Sequence, residues 1–234
     1  LDGSGKDSGP ARLTAVSEGK SFDSGQWSKA FASKASTGPL SLPMDAEIVS
    51  GARAFTISAW VRPDALTATD DKFGETLLFA ASVDITNGAD KNLNHAVLSL
   101  GLRNGTGYVN VSARPRGGAE TASSTKAVRV GEWAFVAAVV DVTQKRGRLY
   151  VDGEPASADV DMGDLEASEY ADPLLSRAAH IGASSGGRYA RFNGRIDELK
   201  VERVARSPAW LRAAYHNVRR PAEAVSWGPP QPRP

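Results

Sequence analysis

Apolar and polar positions alternate along most of this chain in short runs, broken by clusters of Gly, Pro, Asp, Asn and Ser. That pattern predicts many strands and few helices. In Phe55–Thr56–Ile57–Ser58–Ala59–Trp60–Val61–Arg62, one parity holds Phe55, Ile57, Ala59 and Val61 while the other is mostly polar, as a strand with one inward face requires. Pro63–Asp64 stops the run. Further strands are predicted over 76–82, 96–103 and 107–114. The last two flank Asn104–Gly105, a two-residue hairpin signal because both residues tolerate positive φ. The run Trp133–Ala134–Phe135–Val136–Ala137–Ala138–Val139–Val140 is apolar on both parities and suits a central strand buried on both faces. A turn at Lys145–Arg146–Gly147, a strand over 148–151 and a tight turn at Asp152–Gly153 follow. Strands over 178–183 and 195–204 complete the set.

One helix is signalled. Ser207 is a good N-cap, and Pro208 sits where its missing N–H costs nothing. Trp210, Leu211, Ala214 and Tyr215 would share one packing face. The tail from Arg219 to Pro234 carries Pro221, Pro229, Pro230, Pro232 and Pro234 and reads as a linker. Long connections are predicted over 64–75, 84–95, 115–125 and 157–176, where binding function usually sits on a rigid sandwich. No repeat or composition shift divides the chain, so the expectation is one domain over 1–218 and a Pro-rich tail over 219–234.

Composition narrows the classes. With 234 residues, 41% hydrophobic and 24% charged, the chain can bury a core. Lys plus Arg is 28 against 27 Asp plus Glu, a net charge of +1, which argues against gripping nucleic acid or an anionic membrane. There are no cysteines, which removes disulfides, thiol catalysis and Cys-bound metals together. No apolar run approaches the roughly 18 residues of a membrane span, so direct insertion of this fragment is not expected. The first residue is Leu1, and any signal or anchor is expected to lie outside this sequence.

The order of four sequence features resembles the laminin G-like group of the concanavalin A-like lectin/glucanase superfamily. These are Asp2–Gly3–Ser4–Gly5–Lys6–Asp7–Ser8–Gly9, followed by Lys29–Ala30–Phe31 and Leu40–Ser41–Leu42–Pro43; the Phe55–Pro63 strand; and Gly131–Glu132–Trp133, followed by Leu149–Tyr150–Val151–Asp152–Gly153. The last is His180–Ile181–Gly182, then Phe192–Asn193–Gly194–Arg195–Ile196–Asp197–Glu198–Leu199 and the Ser207-capped helix. The resemblance implies an all-β, two-sheet antiparallel jelly-roll β-sandwich with a short C-terminal helix. It further implies a non-catalytic recognition module of a larger protein, extracellular or periplasmic, whose partner is a glycan. The alternative is a protein-interaction or spacer domain of an envelope assembly, such as a TolQ/ExbB-associated module, with no sugar ligand.

Catalytic sets are missing. Glucanases of that superfamily place carboxylates at alternate strand positions to flank one glycosidic bond. Here the matching parity reads Arg195, Asp197, Leu199, and Glu198 points the other way. His95, His180 and His216 lie far apart, and His180 reads as a packed residue. No G-x-S-x-G motif occurs, and Gly182–Ala183–Ser184–Ser185–Gly186–Gly187 lacks the end of a phosphate loop. Asp84–Asn87–Gly88 fails as an EF-hand because its twelfth position is His95.

Two binding chemistries are left. Asp197 shares parity with Leu199 and Val201, so a strand points it toward an apolar side, where an unpaired charge is costly. A calcium ion held jointly with Asp2 or Asp7, as the resemblance implies, would neutralise it. Pairing with Arg195, Arg191 or backbone N–H groups would do so as well. The other chemistry is aromatic stacking of a sugar, for which Trp27, Tyr108, Tyr170 and Tyr189 are the loop candidates. Trp60 and Trp133 read as core. The acidic stretch 159–172 reads as a solvated loop, and Asn104 and Asn110 head glycosylation sequons.

Overall fold

The computed structural model describes residues 3–6, 8, 14–15, 22–34, 38–42, 52–66, 75–81, 97–103, 105–114, 120–141, 143–161, 178–183 and 191–221. They form strands β1 (Phe22–Ser24), β2 (Lys29–Ser33), β3 (Leu40–Ser41), β4 (Ala54–Pro63), β5 (Glu75–Ala81), β6 (Val97–Leu102) and β7 (Tyr108–Arg114). Then come β8 (Glu120–Ala127), β9 (Ala134–Asp141), β10 (Arg146–Val151), β11 (Glu154–Pro155), β12 (Val160–Asp161), β13 (Ala178–Ile181) and β14 (Gly194–Glu202). Helix α1 (Pro208–Arg219) closes the order. Every strand pair is antiparallel.

Two sheets result. The larger, eight-stranded, runs β1-β2-β14-β4-β9-β10-β11 with β12 paired to β10, and the six-stranded one runs β3-β13-β5-β6-β7-β8. Between them lies one apolar cluster. The larger sheet contributes Phe55, Ile57, Ala59, Val61, Val136, Leu149 and Ile196, and the smaller Leu40, Leu78, Leu100, Val111 and Ile181. The pattern's many strands and single helix are observed, and the two-sheet antiparallel jelly-roll sandwich that the resemblance implies is the fold.

The outer face of the larger sheet is not left to solvent. Trp60, Phe135 and Tyr150 point away from the sandwich core and meet Leu211 of α1, with Trp210, Ala214, Tyr215 and Val218 around them. Tyr215 stacks on Trp60 at 5.5 Å and 17°, and Phe135 is 5.7 Å from Trp60. The second apolar parity of β9 exists for this layer. Trp60 is therefore core, as its sequence implied, but beneath the helix and not between the sheets, and half-buried Trp133 packs against the same outer cluster.

Helix α1 starts where the sequence placed it. Ser207 accepts a hydrogen bond from the Trp210 N–H (3.2 Å), and Pro208 opens the first turn. Arg212 grips Glu154, the first residue of β11 after the β10–β11 turn, at 2.8 and 3.1 Å. That turn, Asp152–Gly153, has φ of 56° and 78°, as a tight primed turn requires. A Cβ on Gly153 would stand 3.0 Å from Arg212 Cα, so the helix rests directly on bare backbone.

Three expectations need correction. β6 ends at Leu102 and β7 starts at Tyr108, with Arg103 N–H donating to Tyr108 O (2.6 Å), so the β6–β7 connection spans 103–107 and is longer than a two-residue turn. Strand β8 occupies most of the connection expected over 115–125, and β12 lies within that expected over 157–176. β8 is Glu-Thr-Ala-Ser-Ser-Thr-Lys-Ala, nearly devoid of large apolar residues, and its pairing with β7 supplies what its own pattern lacks. The Trp60–Tyr215 stack yields a test of the helix seat. A double-mutant cycle of Trp60→Ala and Tyr215→Ala, read by urea denaturation, is expected to give a coupling of about 0.5–1.5 kcal/mol. Additive losses would mean that α1 is not held through this ring pair.

Candidate functional site

The site is built by register. Leu40, Ile181, Leu78, Leu100, Val111 and Ala122 are successive partners across all six strands of the smaller sheet, and every one is in the core. Side chains alternate along a strand, so the neighbouring positions must turn outward. Ser41, His180 and Ser99 belong to one such row. Thr76, Gly101, Asn110 and Ser123 form another, partner to partner. Tyr108 stands two residues from Asn110 on the same face and is 38% exposed.

This surface is polar yet recessed. Thr76, Ser99, His180 and Asn110 are all buried. His180 and Ser41 share a hydrogen bond, with Nδ1 3.1 Å from Oγ, which ties β13 to β3. Strands lie about 4.8 Å apart, so Ser41 and His180 in one row, and Asn110 and Ser123 in the other, stand at roughly that spacing, while Phe79 and Gly101 occupy the positions that separate them from Ser99 and Thr76. None of these positions is Asp, Glu, Lys or Arg. Such a surface can exchange hydrogen bonds with a ligand rich in hydroxyls. Ala178, Ala81, Val97 and Arg114 line up in a further row, next to Glu120. The chain ends leading into 82–96, 115–119 and 162–177 therefore meet at one edge of the face, and those segments lie outside the described residues.

Ser99, Thr76 and Ser123 were not singled out by sequence reasoning, and Asn110 only as the head of a sequon, although small uncharged residues alternating with Leu and Val in β6 and β7 carried the signal. His180 is packed, as expected, but on the polar side. Asn110, 9% exposed in the middle of β7, is no acceptor for a glycan despite its sequon.

The remaining candidates separate. Tyr170 and Tyr189 lie outside the described residues, as do Asp2 and Asp7. Trp27 is on the other sheet, in the β1–β2 turn, and is 50% exposed. Asp197 supports that turn. Trp27 N–H donates to its Oδ2 (3.0 Å) and Glu198 N–H to its Oδ1 (2.9 Å), while the carboxylate is fully buried.

The shared parity expected for Asp197, Leu199 and Val201 does not hold. A bulge between Asp197 and Lys200, with Glu198 at φ 48°, inserts an extra residue, so Ile196, Leu199 and Val201 all face the core. Asp197 instead pairs with Trp60 and faces outward under the turn. Burial pushes its carboxyl above the ordinary aspartate range, against the pull of the two N–H donors. Arg195 goes to Asp23, at 2.7 Å. The Arg195 guanidinium, with the Ser24 N–H, holds the Asp23 carboxyl below its usual range. Calcium wants six or more oxygens. Among the described residues no group of three acidic or histidine side chains converges, so Asp197 alone does not make a calcium site. The other oxygens would have to come from Asp2, Asp7 and backbone carbonyls.

Residues 34–212 match the family described as the concanavalin A-like lectin/glucanases superfamily, of the laminin G-like kind. The chain belongs to that superfamily. Solved structures with this sandwich include domain 4 of AbnA, a GH43 extracellular arabinanase from Geobacillus stearothermophilus, in complex with arabinotriose. It is 20% identical, with 85% of this chain and 86% of that one covered and a TM-score of 0.59. The CBM40 of the Ruminococcus gnavus IT-sialidase is 18% identical over 88% and 100% of the two chains, with a TM-score of 0.57. The binding domain of Paraclostridial Mosquitocidal Protein 1 is 18% identical over 91% of this chain and 49% of that chain, with a TM-score of 0.65. At these identities the likeness is one of fold. Compared by sequence with curated proteins, the chain matches none.

In this concanavalin A-like sandwich the buried Asp197 yields a pH test. Its folded carboxyl holds a proton more readily than in the unfolded chain. The group therefore contributes stability at low pH that is lost as pH rises through its raised folded value. In EDTA, Asp197→Asn is expected to cost about 1–3 kcal/mol, because one backbone N–H then faces an amide NH2. Measured by urea denaturation, that penalty should grow between about pH 7 and about pH 4. A penalty that shrinks on acidification would mean that the anion, not the acid, is the favoured form.

Proposed function

We propose that this domain is a non-catalytic carbohydrate-binding module of a larger protein, working outside the cytoplasm. The observation that carries the reading is the outward face of the six-stranded sheet, where Ser41, Ser99, Asn110 and Ser123 carry uncharged hydrogen-bonding groups, with Tyr108 at the edge. Ligand sites combine a few placed polar groups with aromatic surface, and a neutral, hydroxyl-rich molecule satisfies these groups without leaving a charge unpaired. The reading is supported by the company the fold keeps. AbnA domain 4 was solved with arabinotriose, and the CBM40 was solved with α2,3 and α2,6 sialyllactose. The extracytoplasmic setting has support from the arabinanase, which is extracellular. No described helix is long and apolar enough to cross a membrane. A calcium ion shared by Asp197 with Asp2 or Asp7 belongs to the same proposal as a stabiliser of the N-terminal segment, not as a ligand contact.

The test is a glycan array that includes arabinotriose and both sialyllactoses, run with calcium and with EDTA. Binding to at least one saccharide class is expected. Asn110→Ala and Tyr108→Ala should each weaken it about tenfold, roughly 1.4 kcal/mol. Tyr108→Ala, at an exposed position, should leave the melting temperature almost unchanged. A folded protein that binds no saccharide would overturn the reading in favour of a protein-interaction or spacer domain. Identical melts in EDTA and in excess calcium would remove the metal from it.

A further inference from the structure

The β1–β2 hairpin closes between Ser24 and Lys29, and its turn is unusually determined for a surface loop. Gly25 N–H donates to Ser28 O (3.1 Å), and Ser28 takes φ 60°, a conformation costly for a residue with a side chain. A Cβ on Gly25 would come within 2.5 Å of Asp197 Oδ2 and 2.9 Å of Lys29 C, so the turn is seated against the sheet with no slack. Asp197, fully buried, holds the Trp27 N–H. All of this fixes backbone. What it presents is the Trp27 side chain, which is half exposed on the sheet opposite the polar face.

A lone exposed apolar residue needs no explanation, but a rigid one that costs a buried carboxylate and a positive φ does. Among the described residues, Trp27 is the only exposed large apolar side chain of the β1–β2 turn. Ser24, Ser28 and Lys29 beside it are exposed, and the Asp23–Arg195 pair lies on the neighbouring strands. An exposed indole whose chain neighbours offer exposed hydroxyl and amine groups suits a sugar ring, which offers C–H groups to the indole and hydroxyls to its neighbours. It suits an apolar protein surface poorly, because those neighbours would be buried unpaired.

We propose that Trp27 is a second saccharide contact, so that the module carries two ligand surfaces on opposite sheets and binds clustered or polymeric glycans with avidity. This rests on the carbohydrate-binding reading above. Two linked contacts gain strength from ligand density without any new interaction, whereas one contact gains none.

The experiment uses an array carrying arabinotriose and α2,3 sialyllactose at low and high printing density, with wild type, Trp27→Ala, Trp27→Phe and Asn110→Ala. Trp27→Ala keeps the backbone bond to Asp197 and should melt with wild type. Wild type is expected to gain at least about tenfold in apparent affinity from low to high density. Trp27→Ala should lose that gain while retaining low-density binding, Trp27→Phe should keep part of it, and Asn110→Ala should weaken binding at both densities. If Trp27→Ala matches wild type at both densities, the second contact is overturned while the first stands. If Trp27→Ala changes only self-association in sedimentation, Trp27 is a protein contact and the proposal is equally overturned. If folded wild type binds at neither density, the carbohydrate reading itself falls and takes the second contact with it.

Discussion

Six apolar side chains in register, from Leu40 through Ile181, Leu78, Leu100 and Val111 to Ala122, fix everything that follows on the smaller sheet. Strand side chains repeat with period two, so a row committed to the core commits its neighbours to the outside. A slip of one residue in any pair would drive Ser99 or Asn110 into the core and Leu100 or Val111 out of it. The polar surface is thus the reverse side of the hydrophobic core, and the same energy that closes the sandwich holds the recessed hydroxyls, amide and imidazole in line.

The two sheets spend their outer faces differently. The larger one buries Trp60, Phe135 and Tyr150 beneath α1, a second apolar layer held by ring stacking, by Leu211 and by the Arg212–Glu154 pair. Gly153 lets the helix approach closely. The smaller sheet mixes polar residues such as Ser41, Ser99, Asn110 and Ser123 into its outward positions. This asymmetry sets an apolar, helix-covered face against a more polar one within one fold, and it explains why three of the five tryptophans serve packing at or near α1.

In β14, between β2 and β4 of the larger sheet, a single bulge rearranges the chemistry. The extra residue at Glu198 keeps Ile196, Leu199 and Val201 all facing inward and turns Asp197 outward, where it meets backbone N–H groups and not the core. A carboxylate that looks like a buried ligand in the sequence is here the keystone of a turn. Its cost is partial desolvation, and its product is the fixed position of Trp27.

Much of this protein was legible from its residues. Phe55–Val61 and Trp133–Val140 announced their strands because large apolar side chains with period two have few other stable uses, and Ser207–Pro208 announced the helix because capping is local chemistry. The Asp152–Gly153 turn was equally local. Strand β8 was hidden, since Glu120–Ala127 has almost nothing to bury and is a strand only because β7 offers it hydrogen bonds. The direction of Asp197 was hidden too, because one inserted residue reverses parity and no composition reveals it. What the sequence determined by itself was which segments extend, where they turn and which side chains must leave water. The tertiary structure alone decided which polar residues, distant in the chain, share a surface, because register is set between strands and not within them.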